Sequence, residues 1–148
     1  MDSVGRPSRM TYEPHHYGVT VSDIDAAEEF YGERLGLPVA DRLSFDDEAF
    51  GRFVGVPDAD VDIVFFDAGG FQIEVLEYAN SSRNANEGVS NDDVGAAHVC
   101  LTVDDLDAEY RRLSDDVDFV SPPQTLENGA TVAYALDPDG NVVELLET

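Results

Sequence analysis

A chain of 148 residues is long enough for one domain with a real core and too short for two independent ones. Its 32 acidic residues face only 8 basic ones, every one an arginine, and the formal net charge of −24 repels nucleic-acid phosphates and anionic membranes alike. Hydrophobic residues reach 43%, yet no apolar run approaches the roughly 18 residues of a membrane span. The single Cys100 cannot close an intramolecular disulfide.

In chain order, residues 1–12 read as a flexible tail. The polar start carries Arg6 and Arg9 but no apolar stretch follows, so it does not resemble a signal peptide, and a cytoplasmic location is expected. One domain is expected over 13–148, as a first module 13–79, a linker 80–93 and a second module 94–148. Residues 15–21 alternate as a strand does, with Pro14 tolerated at the start. Asp23 supplies an N-cap; Ile24, Ala27, Phe30, Tyr31 and Leu35 follow at helical spacing, and Gly36 stops the helix. Strands are expected at Val39–Phe45, 61–66 and 71–78, the last two joined through Gly69-Gly70. After the polar linker come a strand at 97–103, an Asp-capped helix around Leu106, Tyr110 and Leu113, and strands at 117–120, 130–136 and 142–146. The turn Asp137-Pro138-Asp139-Gly140 puts Pro and Gly where a tight turn wants them.

The sequence also repeats itself. Residues 16–26 (His-Tyr-Gly-Val-Thr-Val-Ser-Asp-Ile-Asp-Ala) recur at 98–108 (His-Val-Cys-Leu-Thr-Val-Asp-Asp-Leu-Asp-Ala), and 70–77 recur at 140–147. The spacing between the two matches is shorter in the second copy, which places an insertion in the first, between Phe45 and Asp60. The chain is therefore a duplication of a βαβββ unit, and the fold class is α+β.

Most repeated positions have a packing or capping reason. Val21/Val103, Ile24/Leu106 and Ile73/Val143 suit a core, and Asp23/Asp105 suit helix caps. A generic core has no use for His16/His98 and Glu74/Glu144. Strand alternation puts His16, Gly18 and Thr20 on one face, and His98, Cys100 and Thr102 on the equivalent one. Glu77/Glu147 fall on the opposite face and read as surface charge, and His15 is expected to point away from His16. Two modules related by a pseudo-twofold axis would gather both imidazoles and both carboxylates. That N₂O₂ set suits one divalent first-row ion, with Ni, Co, Zn, Mn and Fe all compatible. Cys100 has Gly18 as its counterpart; core packing is the expected role, with a thiol lining the site as the alternative. Phe45, Phe53 and Tyr134 are candidates for pocket lining, with core packing favoured, and Arg42 and Arg52 for reading an anionic substrate.

With His-x-Gly-Val-x-Val-x-Asp at 16–23, Phe30-Tyr31 followed by Leu35-Gly36, and Asp-Pro-Asp-Gly-Asn-x-x-Glu at 137–144, the sequence resembles the vicinal oxygen chelate superfamily. That superfamily includes glyoxalase I, methylmalonyl-CoA epimerase, extradiol dioxygenases and the fosfomycin and bleomycin resistance proteins. The resemblance implies two tandem βαβββ modules forming a U-shaped mixed β-sheet around a metal site, with His16, Glu74, His98 and Glu144 as ligands. Two Glu ligands are most similar to bacterial glyoxalase I; the epimerase usually carries Gln at the Glu74 position, and dioxygenases a His. It implies a lyase or isomerase moving a proton next to the carbonyl of a small α-oxo compound or thiol adduct, with Glu74 or Glu144 as base. An acyl-CoA epimerase, a non-catalytic binding or resistance protein, and a dioxygenase remain as alternatives. A homodimer stays open as the oligomeric state. The composition resembles that of proteins from extreme halophiles.

Overall fold

The computed structural model describes residues 11–148. Most of the expected tail lies outside the described residues; Thr11 and Tyr12 are exposed and irregular. The strands divide into two mixed sheets. In the first, β1 (His16–Thr20) runs parallel to β4 (Gln72–Tyr78), followed outward by antiparallel β3 (Val61–Asp67) and β2 (Val39–Phe45), in the order β1-β4-β3-β2. The second repeats this plan with β5 (His98–Thr102) parallel to β9 (Val142–Glu147), then β8 (Thr131–Leu136) and β6 (Asp118–Phe119). A short extra strand, β7 (Gln124–Thr125), also pairs with β8. Its neighbours explain why the expected strand at 117–120 is cut short: Pro122 and Pro123 have no N–H to give to a ladder.

The helix of the first module starts as α1 (Ile24–Glu28) and widens into a π turn over Glu29–Arg34. The Asp23 carboxylate caps its start, accepting from the backbone N–H groups of Asp25 and Ala26 at 2.9 and 3.3 Å. Past its end, Gly36 sits at φ 77°, a left-handed conformation that glycine adopts without strain. In the second module α3 (Leu106–Leu113) is capped by Asp105. The inserted stretch forms a helix that periodicity alone does not reveal, α2 (Glu48–Val54), capped by Asp47 and ended at Gly55 with φ 73°.

Glu77 and Glu147 are not ordinary surface charge. They face the helix side of their sheets, and each accepts the first N–H of its helix, Ile24 at 2.7 Å and Leu106 at 2.8 Å. The carboxylate meets the positive end of the helix, so strand and helix are tied together twice.

One core spans both modules. Phe30, Tyr31, Phe66, Ile73 and Val75 of the first pack in the same buried cluster as Leu106, Leu113, Ala135, Val143 and Leu145 of the second. The strand residues among them come from the helix-facing sides of the sheets, and Phe30, Tyr31, Leu106 and Leu113 come from the helices that cover those sides. β3 is buried on both sides: Val64 and Phe66 join the shared core, while Val61, Ile63 and Phe65 form a smaller cluster with Phe50 of α2. Polar contacts reinforce the joint. The Tyr31 hydroxyl donates to buried Asp137 at 2.9 Å, and Ser22 donates from both its N–H and its hydroxyl to Asp139, at 2.9 and 2.7 Å. No helix among the described residues is long and apolar enough to cross a membrane.

Candidate functional site

Because the helix-facing sides are used for the shared core, the opposite sides are left uncovered, apart from the part of the first sheet that α2 covers through Phe50. His16 and Glu74 stand on one, with His16 Nε2 at 3.2 Å from Glu74 Oε1. His98 and Glu144 stand on the other, with Nε2 and Oε1 3.1 Å apart. Both pairs have the same origin. His leads an edge strand, and Glu lies on the parallel neighbour two residues further along the register, where Gly18 faces Glu74 and Cys100 faces Glu144. Each His is half exposed, at 37% and 39%, and each Glu is more shielded, at 15% and 20%. That exposure suits a site reached from solvent.

The four expected ligands are thus brought together as two pairs. Within one chain the pairs do not merge: among the described residues no cluster of three His, Cys, Asp or Glu is placed to hold a metal ion. Each pair could supply one imidazole nitrogen and one carboxylate, half of the four-donor set expected from the sequence.

Neighbours orient the two imidazoles differently. His15 does not point away from His16; its Nδ1 lies 2.8 Å from His16 Nδ1, and the rings meet edge to face. β1 begins only at His16, so strand alternation never governed His15. That contact holds the His16 ring with its Nε2 toward Glu74. In the second module Tyr134 takes the supporting place, its ring 5.1 Å from His98 and its hydroxyl 3.5 Å from Nδ1, at the weak limit of a hydrogen bond. Phe65 is the counterpart of Tyr134, since each stands opposite the glutamate of its module. Its ring packs edge-on against His16 at 5.5 Å.

The two faces differ at one repeated position. A Cβ on Gly18 would come within 2.9 Å of Glu74 Oε1, so the missing side chain is what lets that carboxylate lean toward β1. Cys100 occupies the equivalent place, and the expectation of a core position is overturned: it is exposed on the open face. Neighbours still partly shield the sulfur. That burial, then the Glu144 charge and its hydrogen bond, push the thiol above its ordinary value and keep it protonated.

Over the His16–Glu74 pair lies a cleft of about 550 Å³. The insertion builds much of its wall, since Phe50 and Phe53 of α2 line it together with Phe45 at the end of β2. Phe45 and Phe53 are therefore lining residues, not core. Neither arginine reaches it. Arg42 forms a two-pronged ion pair with Glu28 across the surface, and its guanidinium holds the Glu28 carboxyl below the usual carboxylate range. Arg52 pairs with Glu48 one turn away on α2 at 3.1 Å.

Comparison with known proteins gives a consistent set of relatives. The family model described as the glyoxalase/bleomycin resistance protein/dioxygenase superfamily matches residues 13–145. A lactoylglutathione lyase of Pseudomonas aeruginosa is 29% identical over 148 aligned positions, spanning 92% of this chain and 82% of its own. A 2-epi-5-epi-valiolone epimerase of Actinomyces is 31% identical over 145, spanning 89% and 77%. Among solved structures, a glyoxalase family protein from Bacillus cereus superposes with a TM-score of 0.81 at 22% identity, covering 96% of this chain and 98% of that one, which is a likeness of fold.

Proposed function

The chain belongs to the glyoxalase/bleomycin resistance protein/dioxygenase superfamily, and from that premise we propose that it is a metal-dependent lyase or isomerase working as a homodimer. Each of its two sites takes His16 and Glu74 from one protomer and His98 and Glu144 from the other. The observation that carries this reading is the pair of equivalent half-sites, 3.2 and 3.1 Å across, on open faces that one chain keeps apart. A twofold dimer joins unlike halves twice over and leaves none unmatched. His16 and His98 both lie on edge strands, so β1 of one copy set beside β5 of another extends each sheet into a U around the joined halves.

The donor set of two imidazoles and two carboxylates fits a divalent ion. When bound, it supplies Lewis acidity to two neighbouring oxygens of the substrate. The residues do the rest. A carboxylate of Glu74 or Glu144 takes the proton from the carbon beside a carbonyl and returns it to that carbon or the next. His15 and Tyr134 hold the imidazoles in place. Relatives named as a lyase and as an epimerase support chemistry of this kind. The substrate is a small α-oxo compound or its thiol adduct.

Complementation tests the reading. A His16→Ala/Glu74→Ala chain and a His98→Ala/Glu144→Ala chain each lose both sites as homodimers. Mixed and reassembled, they form heterodimers with one complete site, so metal binding and solvent-deuterium exchange into an α-oxo substrate return to about a quarter of wild type. No recovery in assembled heterodimers, or stoichiometric metal retained by either parent variant, overturns the shared site.

A further inference from the structure

The cleft above His16 and Glu74 has a one-sided chemistry. Its ionisable lining is limited to those two residues and Asp47; the remainder is apolar. An aromatic strip leads outward from the pair. Phe65 lies edge-on to His16, Phe45 and Phe50 are stacked with centroids 5.0 Å apart and planes within 3°, and Phe53 meets Phe50 edge-on at 5.8 Å. In the single chain Phe53 is 80% exposed, a large apolar surface beside the site. No arginine of the described residues lines this cleft. Arg34, Arg42, Arg52 and Arg112 are engaged by carboxylates elsewhere, and Arg83 lines a separate cleft. The open face of the second sheet carries Cys100, Thr102, Tyr134, Val142 and Leu146 around its own pair and likewise offers no arginine.

We propose that this site selects an uncharged α-oxo substrate bearing an aryl or branched alkyl group, which lies against Phe45, Phe50 and Phe53, and that it discriminates against thiol adducts carrying free carboxylates. The inference rests on the proton-transfer reading for the position of the reacting carbonyls; the strip and the charge argue for the rest. An anionic peptide adduct would bring carboxylates beside Asp47 and Glu74 on a protein of formal charge −24 with no cation at the cleft to receive them. A phenyl or branched alkyl group instead covers aromatic surface that water now meets, in a space of ordinary small-ligand size.

Benzoylformamide is a suitable probe: uncharged, aromatic and α-oxo, with no hydrogen on any carbon that flanks its adjoining carbonyl groups. Titrated into the metal-stripped full chain in about 2 M KCl, where surface repulsion is screened, it is expected to bind about tenfold more tightly than pyruvamide or benzoylformate. Phe53→Ser, at an exposed position that leaves the fold intact by circular dichroism, is expected to remove about tenfold of that affinity. In metal-loaded protein, the 2-mercaptoethanol adduct of phenylglyoxal is expected to exceed the glutathione adduct in kcat/KM. Faster turnover of the glutathione adduct, unaffected by Phe53→Ser, overturns the selectivity and leaves proton transfer standing. Preferential, Phe53-dependent binding of benzoylformamide with no turnover of any adduct supports the cleft assignment and removes the proton-transfer reading instead. Conversion of a dimer to a monomer by Phe53→Ser assigns the strip to a second copy of the chain and overturns the proposal.

Discussion

Gly18 shows how one residue shapes the candidate site. Strand propensity argues against glycine inside β1, yet any side chain there meets the Glu74 carboxylate. Gly18→Ala is therefore expected to displace Glu74 and weaken metal binding by about 10- to 100-fold, as lost support of a ligand commonly does. The fold should be unharmed, since the atom that must move is the end of a flexible side chain. Metal titration and thermal melting of the same preparation check both halves of this expectation; unchanged affinity would detach Glu74 from the site. At Cys100 a side chain is present at the repeated position, and Glu144 answers it with a hydrogen bond in place of a lean into empty space.

Between elements, the joint that matters is the one holding the π turn to the turn at 137–141. Tyr31 is fully buried and donates to Asp137, whose other carboxylate oxygen accepts the N–H groups of Asp139 and Asn141 at 2.9 and 2.8 Å. Tyr31→Phe leaves the ring packing intact and takes one donor from a buried carboxylate, a loss of about 1.5–3 kcal/mol. Burial first, then the Asp137 charge and the hydrogen bond to it, push the Tyr31 hydroxyl well above its ordinary value. The folded chain thus keeps a proton that the unfolded chain releases above about pH 10. Stability from this group is complete below that pH and is lost as pH rises beyond it. Denaturant unfolding from neutral to alkaline pH should show a decline in wild type that Tyr31→Phe lacks; equal slopes would remove this linkage.

For the whole molecule, a formal charge of −24 on 148 residues governs behaviour in dilute buffer. The Debye length falls from about 10 Å at 0.1 M salt to about 3 Å at 1 M, so repulsion among surface carboxylates fades across that range. The melting temperature is expected to climb from 0.1 to about 2 M KCl. The proposed dimer should strengthen in parallel, because two like-charged copies must meet in it. A flat melting curve across that range would show that the carboxylates are already neutralised by local partners.

Much of the architecture is legible in linear order. Duplication shows as two matches around an insertion, alternation assigns His16, Glu74, His98 and Glu144 to one side of their strands, and Asp23 and Asp105 announce the helices they cap. These signals are local, with periods of two or nearly four residues, and the backbone obeys them wherever the strand or helix continues. They fail at the ends of elements and between them. His15 lies just outside β1, α2 is too short to display a period, and Glu77 and Glu147 are recognisable as caps only once the helices lie across their sheets. The sequence by itself determined that His16/His98 and Glu74/Glu144 are repeated in register and on which side of its own strand each stands. Tertiary structure alone decided that the pairs do not meet within one chain. The shared core takes the helix-facing sides of both sheets because those sides carry Ile73, Val75, Val143 and Leu145, whose burial outweighs any gathering of the polar pairs, and the half-sites are left on opposite open faces.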